Sequence, residues 1–355
     1  MIVIISKRSL ELSTERVMDW LYYYGYEALR INGDDIIDSR DLYQAITHDN
    51  QKLFIGKDKF LEVEDVSVVW FRRWSDRGFL ENFNVNESFQ LGIPFQLMEN
   101  INTDYSCFRA FLFSRFSGKP FISNPRNLNG LNKFVVLNIA QRLGLTVPET
   151  IVCHNKQSLL AFLQQKKKVI TKDVENSIFV KIGSFHYSTF TTQLDESNID
   201  KIPDYFSLST FQELVEKQYE IRIFFFFGKF YSMAIFSQQD EKTSVDFRRY
   251  NMQNPNRNVP YKLPTEIESK LLQLMEKCQL ETASIDMIRS KQGEYIFLEI
   301  NPVGQFSMVS RPCNYYLESI IAQKLIDYEQ QRKFSEGIPG INGQLSAAPG
   351  VPVSC

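Results

Sequence analysis

The stretch 283–302, ASIDMIRSKQGEYIFLEINP, constrains this chain more than any other. Two apolar runs flank Lys291-Gln292-Gly293, so the segment predicts an antiparallel hairpin turning near Gln292 and Gly293. With Asp286 opposite Glu299 and Ser284 opposite Asn301, alternation puts Asp286, Glu299 and Asn301 on one face. Ile285, Met287, Leu298 and Ile300 then share the other face. Two carboxylates directly opposite each other destabilise a sheet. A hard cation reverses that sign, because Mg2+ takes one or two carboxylates and an amide oxygen and completes its shell with phosphates and waters. A solvent-exposed polar strand face fits the same residues, and the hairpin alone leaves both readings open.

Composition narrows the class. Hydrophobic residues at 43% and charged residues at 23% are those of a globular chain, and 355 residues suffice for two or three domains. The 40 basic and 42 acidic residues leave a net charge of -2, which argues against a sequence-blind grip on nucleic acid or an anionic membrane. The basic run 166–168 reads as a solvated helix end. Only a short apolar stretch, residues 2–5, precedes Ser6-Lys7-Arg8, so no signal peptide is expected, and no apolar run approaches the ~20 residues of a membrane span. Five scattered cysteines without a C-x-x-C pair suit reduced thiols in a cytoplasmic protein. The phosphate-loop, dinucleotide, nucleophile-elbow and H-E-x-x-H motifs are absent, and the three histidines are far apart in sequence. Carboxylates, lysines and arginines are left to do any chemistry.

Periodicity predicts an α/β (α+β) chain. Strands at 1–5, 26–31 and 66–71 with a helix at 14–24 form a β-α-β pattern of the parallel kind, in an N-terminal domain of residues 1–120. A helix is expected over 86–116. A central unit, 121–210, holds helices at 132–143 and 158–165 and strands at 169–172 and 177–181, with 195–209 as a polar hinge. The third, 211–335, is strand-rich: an apolar hairpin turns at Gly228-Lys229, a helix covers 265–278, the acidic hairpin follows, and a helix near 315–328 closes it. Residues 336–355 read as a disordered tail.

A polyphosphate would complete a metal site on that hairpin. Lys172 ends a strand and Lys133 opens a helix, both in reach of such a group, although lysines at element ends are commonly just solvated. In 212–222 an extended stretch carrying Glu213, Leu214 and Val215 precedes a strand that begins with Glu220 and Arg222.

In that order, Asn132-Lys133, Val169-Ile170-Thr171-Lys172, Gln212-Glu213-Leu214-Val215, Glu220-Ile221-Arg222, Asp286 and Leu298-Glu299-Ile300-Asn301-Pro302 resemble the ATP-grasp ligases over residues 120–325. Longer strings narrow the likeness. Residues 231–238, Val245-Asp246-Phe247-Arg248, Pro255-Asn256-Arg257 and Asn301-Pro302-Val303-Gly304-Gln305-Phe306 resemble the graspetide synthetases related to microviridin ligases. The segment 308–317 points to their grasp-with-spasm subgroup.

The resemblance implies an ATP-grasp fold with an N-terminal pre-ATP-grasp domain. It assigns ATP phosphates to Lys133 and Lys172, adenine to Glu213 and the backbone around Leu214 and Val215, and the ribose to Glu220. Mg2+ falls to Asp286, Glu299 and Asn301, and the acyl phosphate or substrate carboxylate to Arg248 and Arg222, a task for the guanidinium fork. Asp246 is a candidate general base and equally a structural partner of Arg248. Two departures stand out: Asp173 follows Lys172 where relatives tend to have proline, and 174–181 lacks a glycine-rich phosphate lid. The implied reaction activates Asp or Glu side chains of a ribosomal precursor peptide, leader plus core, and closes ω-ester or ω-amide macrocycles with Ser, Thr or Lys. An amino-acid or small-acid ligase and a catalytically silent leader-binding scaffold are the alternatives. A radical SAM/SPASM protein and a second copy of the chain are further candidate partners. Arg72-Arg73, at the end of a strand, reads as a peptide or nucleotide contact or as solvated arginines.

Overall fold

The computed structural model describes residues 1–9, 11–37, 52–56, 59–74, 95–128, 131–166, 168–173, 179–182, 185–189, 191–194, 196–238 and 255–335. They divide into two compact units, Met1–Phe121 with Ser319–Cys355 and Ile122–Glu318.

The first unit contains β1 (Ile2–Ser6), α1 (Leu12–Tyr23), β2 (Ala28–Asn32), β3 (Lys52–Gly56), β4 (Lys59–Glu62), β5 (Val68–Phe71), α2 (Phe95–Ser114) and the edge strand β6 (Phe121–Ile122). Its sheet has the order β2-β1-β5-β6, and β1 runs parallel to both β2 and β5. All five residues of β1 are buried, as a parallel strand covered on both faces requires. The β3–β4 hairpin was not legible, because Lys52, Lys57, Asp58 and Lys59 break its apolar pattern. Of the predicted 86–116 helix, the described part starts at Phe95. Arg72 is not solvated: it is only 3% exposed, its Nε lies 3.1 Å from Glu11 Oε1, and Arg73 Nε lies 2.7 Å from Glu11 Oε2. Burial pushes the Arg72 guanidinium down to about 10 against the opposing pull of Glu11.

The second unit runs through α3 (Lys133–Arg142), β7 (Thr150–Asn155), α4 (Lys156–Lys166), β8 (Val169–Lys172), β9 (Phe179–Ile182), β10 (Phe185–Ser188), β11 (Thr192–Leu194) and β12 (Tyr205–Glu213). It continues with β13 (Lys217–Phe226), β14 (Lys229–Phe236), β15 (Arg257–Tyr261), α5 (Thr265–Lys277), β16 (Thr282–Ser290), β17 (Tyr295–Asn301) and α6 (Ser307–Cys313); α7 (Leu317–Ser335), which from Ser319 onward belongs to the first unit, closes the described chain. Asn132 caps α3 by accepting from the Val135 N–H at 2.9 Å, and Gly144 takes the left-handed conformation just past its end, φ +77°. The smaller sheet, β11-β8-β12-β7, packs Ile151, Cys153, Val169 and Phe211 against Leu159 and Phe162 of α4. The expected hinge at 195–209 is instead a short helix, Glu196–Ile199, and the first half of β12, where Tyr205 pairs with Asn155 and Ser209 with Cys153. Its alternation of Phe206 and Leu208 with serines is a strand signal that the neighbouring Pro203 and Asp204 obscure.

The larger sheet, β15-β14-β13-β16-β17, is antiparallel throughout. β13 and β14 turn through Phe227 and Gly228, with φ of 44° and 81°, a type I′ geometry one residue earlier than expected. One face carries Ile221, Ile223, Phe225, Ala283, Ile285, Met287 and Phe297, which bury against Val136 and Ala140 of α3 and Leu271, Leu274 and Met275 of α5. The hairpin register is the expected one at Ser284↔Asn301, Ile285↔Ile300 and Asp286↔Glu299, then shifts so that Met287 pairs with Phe297. Leu298 is therefore a bulge residue, and the Phe297 ring, fully buried, takes the core place expected of Leu298.

Leu271→Ala should lower the unfolding free energy by about 2–5 kcal/mol in urea titrations, the range for a fully buried leucine. Burial pushes the thiols of Cys153, Cys278 and Cys313 upward, the last to about 11, while Cys107 is exposed. In a Cys355→Ser background, one thiol per native chain should react promptly with an aromatic disulfide reagent, and the remaining three only after unfolding.

Candidate active site

The other face of the larger sheet is polar where its central strands meet. Backbone register sets Met233 of β14, Arg222 of β13, Asp286 of β16 and Glu299 of β17 side by side in one row. The next row toward one end holds Tyr231, Phe224, Ser284 and Asn301; the row at the other side holds Ile235, Glu220 and Ile288. The two facing carboxylates are each met by a cation. Arg222 Nη1 pairs with Asp286 Oδ2, and Lys133 Nζ, from the start of α3, lies 3.5 Å from Glu299 Oε2. These two cations offset the repulsion that the bare sequence predicts. Arg222 is 8% exposed, and its Nε finds no hydrogen-bond partner among the described residues.

Glu220, two residues from Arg222 on the same face, is buried and paired with Lys217, itself buried. A bulge at Gln218 brings Lys217 round to that face: Lys217 pairs with Ser290 while Tyr219 pairs with Arg289. Sequence reading missed Lys217, although its three-residue spacing from Glu220 was the available signal.

The residues that the resemblance assigns to ATP lie on and beside the smaller sheet, apart from Lys133 and Glu220. Lys172 sits at the end of β8 in register with Thr210 of β12. The Glu213 carboxylate accepts from the Glu149 N–H at 2.9 Å and lies 3.5 Å from Lys166 Nζ. Lys166 is thus no free helix end; its hydrogen bond to Glu149 and the charge of Glu213 push its ammonium upward. Beyond Glu213 the backbone changes sheets: the Leu214 N–H donates to Lys168 and the Glu216 carbonyl accepts from Lys291. Between these anchors, no described residue hydrogen-bonds the N–H or carbonyl of Val215. One backbone donor and one acceptor on an anchored extended segment are thus without a partner among the described residues.

The structure thus links Lys133, Arg222, Asp286 and Glu299 directly, places Asn301 one row away and Glu220 on the same face, and sets Lys172, Glu213, Leu214 and Val215 on the neighbouring sheet and its exit. Asp246 and Arg248 lie outside the described residues. No group of three or more His, Cys, Asp or Glu side chains suited to a metal occurs among the described residues. The predicted set has two carboxylates and an amide, a donor set that fits Mg2+ when phosphate oxygens fill the remaining positions. Among the described residues no helix is long and apolar enough to cross a membrane.

No family model matches the sequence, and no curated protein matches it either. Solved structures do. The macrocyclase MdnC of Microcystis aeruginosa MRC, bound with its precursor peptide MdnA, is 26% identical with a TM-score of 0.75, over 92% of this chain and 99% of that one. A RiPP-associated ATP-grasp ligase of Chryseobacterium gregarium, in complex with ADP and a leader and core peptide, is 24% identical with a TM-score of 0.75, over 93% and 96%. The ATP-grasp ligase PsnB, complexed with a minimal-precursor variant, Mg and ADP, shares the fold at 14% identity and a TM-score of 0.68, over 92% and 98%. The chain thus has the fold of the ATP-grasp ligases over nearly its whole length, with paired carboxylates and cations on one face of the larger sheet.

Proposed function

We propose that this chain uses ATP to activate Asp or Glu side chains of a ribosomal precursor peptide and couples them to Ser or Thr hydroxyls, or Lys amines, of the same peptide. The observation that carries the reading is the Arg222–Asp286–Glu299 row with Lys133 beside it, in a fold shared with a macrocyclase bound to its precursor. Asp286, Glu299 and Asn301 would hold Mg2+, which when bound neutralises charge building on the transferred phosphoryl group. Lys172 and Lys133 would hold ATP phosphates, the Val215 backbone the adenine edge, and Glu220 the ribose. Glu213, tied to Glu149 and Lys166, would fix the strand from which that backbone leaves.

The peptide carboxylate attacks the γ-phosphorus; its new O–P bond forms as the bond to ADP breaks, leaving an acyl phosphate. A peptide hydroxyl or amine then attacks the acyl carbon, phosphate departs with the C–O pair, and the nucleophile loses a proton. Arg222 would orient the carboxylate and spread the charge of the acyl phosphate, sharing that work with Arg248, with Asp246 receiving the proton. Desolvation of Arg222 strengthens its electrostatic pull on a bound oxyanion. The reading also takes in the grasp-with-spasm subgroup, a cytoplasmic location, a radical SAM/SPASM protein or second copy as further partners, and the division into 1–120, 121–210, 211–335 and a tail.

Co-expression with a candidate precursor peptide that carries acidic and hydroxyl or amine side chains should yield a peptide lighter by one water per ring in tandem mass spectrometry; a peptide that gains a residue would favour simple ligation instead. Lys172→Ala should raise the KM for ATP about tenfold or more, the effect of losing one charge-assisted contact. Asp286→Asn should abolish peptide-dependent ADP release and lower stability by about 3 kcal/mol, because it leaves Arg222 buried and uncompensated. Adding Arg222→Met should restore the stability in urea titrations and leave ADP release abolished.

A further inference from the structure

The acidic row ends in a loop with almost no room. After Asn301, the last residue of β17, the chain turns back so that the Gly304 N–H donates to the Asn301 carbonyl at 3.0 Å, a tight four-residue turn. Gly304 comes to rest on Ser284, the register partner of Asn301. A Cβ added at Gly304 would stand 2.2 Å from both Cβ and Oγ of Ser284 and 3.0 Å from the Asn301 carbonyl oxygen. Real Cβ atoms do not approach so closely, so any side chain there must move something. Ser284 cannot yield, since it is 1% exposed in the middle of a paired strand. The loop is held at both ends: Asn301 by β16, and Phe306, buried, by its ring against Phe224 at 5.3 Å between centroids. Only four residues join the two anchors, so a displacement at Gly304 is passed to Asn301.

We propose that Gly304 and Ser284 form a steric stop that sets the amide of Asn301 relative to Asp286 and Glu299, which makes Gly304 a positioning residue for the cation of this row. The proposal rests on the metal reading given above. Glycine is needed here for the close approach itself and not for a left-handed backbone. Its lost contact geometry should therefore be recovered by making room on the opposing side chain.

The test compares the full chain with Gly304→Ala, Ser284→Gly and the double variant, using Mn2+ with ADP as the probe and electron paramagnetic resonance to count free ion. Gly304→Ala should weaken Mn2+ binding about tenfold or more, the usual cost of a lost metal-supporting contact. The double variant should return to the affinity of Ser284→Gly alone, with activity titrated against Mg2+ following the same order. If Gly304→Ala fails to fold, a folded and Mn2+-competent double variant supports the stop equally. Wild-type affinity in Gly304→Ala, or no recovery of folding or binding in the double variant, overturns it. Absence of Mn2+–ADP binding in the wild type would instead overturn the metal reading beneath it.

Discussion

Everything at this site depends on two carboxylates being held face to face. Backbone pairing leaves Asp286 and Glu299 no choice of neighbour, and a sheet with that pair alone would be destabilised. The fold answers with Arg222 from the adjoining strand and Lys133 from the first turn of a helix. Such a balance is poised rather than inert. In the function proposed above, a divalent cation entering the row would take over neutralisation of the carboxylates and release both basic side chains toward the oxygens of substrates.

The supporting geometry follows from where the apolar residues lie. Ile285, Met287 and Phe297 anchor the acidic strands from behind against Leu271, Leu274 and Met275, so the polar face is mounted on a close-packed layer. Two bulges then adjust side-chain direction without disturbing that layer. The one at Leu298 lets the large Phe297 ring occupy the core while Glu299 keeps its place opposite Asp286, and the one at Gln218 turns Lys217 toward Glu220. Both sit beside residues with proposed roles, where a re-aimed side chain has most effect.

Local pattern made much of this legible. The hairpin 283–302, its register at Asp286 and Glu299, the helix α3 and the parallel β1 could be read because alternation, helical spacing and turn residues agree there. What escaped was information carried by partners distant in sequence. Nothing near Arg222 announces Asp286, 64 residues on, and nothing near Arg72 announces Glu11. Gly304 resembles any loop glycine until Ser284 is seen beneath it. The β3–β4 hairpin and the first half of β12 were obscured by charged and proline-bearing neighbours, which weaken a period-2 signal without preventing a strand.

The account stands or falls on an acyl phosphate formed at this row. A precursor peptide whose acidic side chains carry oxygen-18 distinguishes it directly: each ring closed by this route transfers one labelled oxygen to inorganic phosphate, which mass spectrometry of the released phosphate detects. One labelled oxygen per phosphate and per ring is the predicted result. Ring closure accompanied by unlabelled phosphate would contradict it.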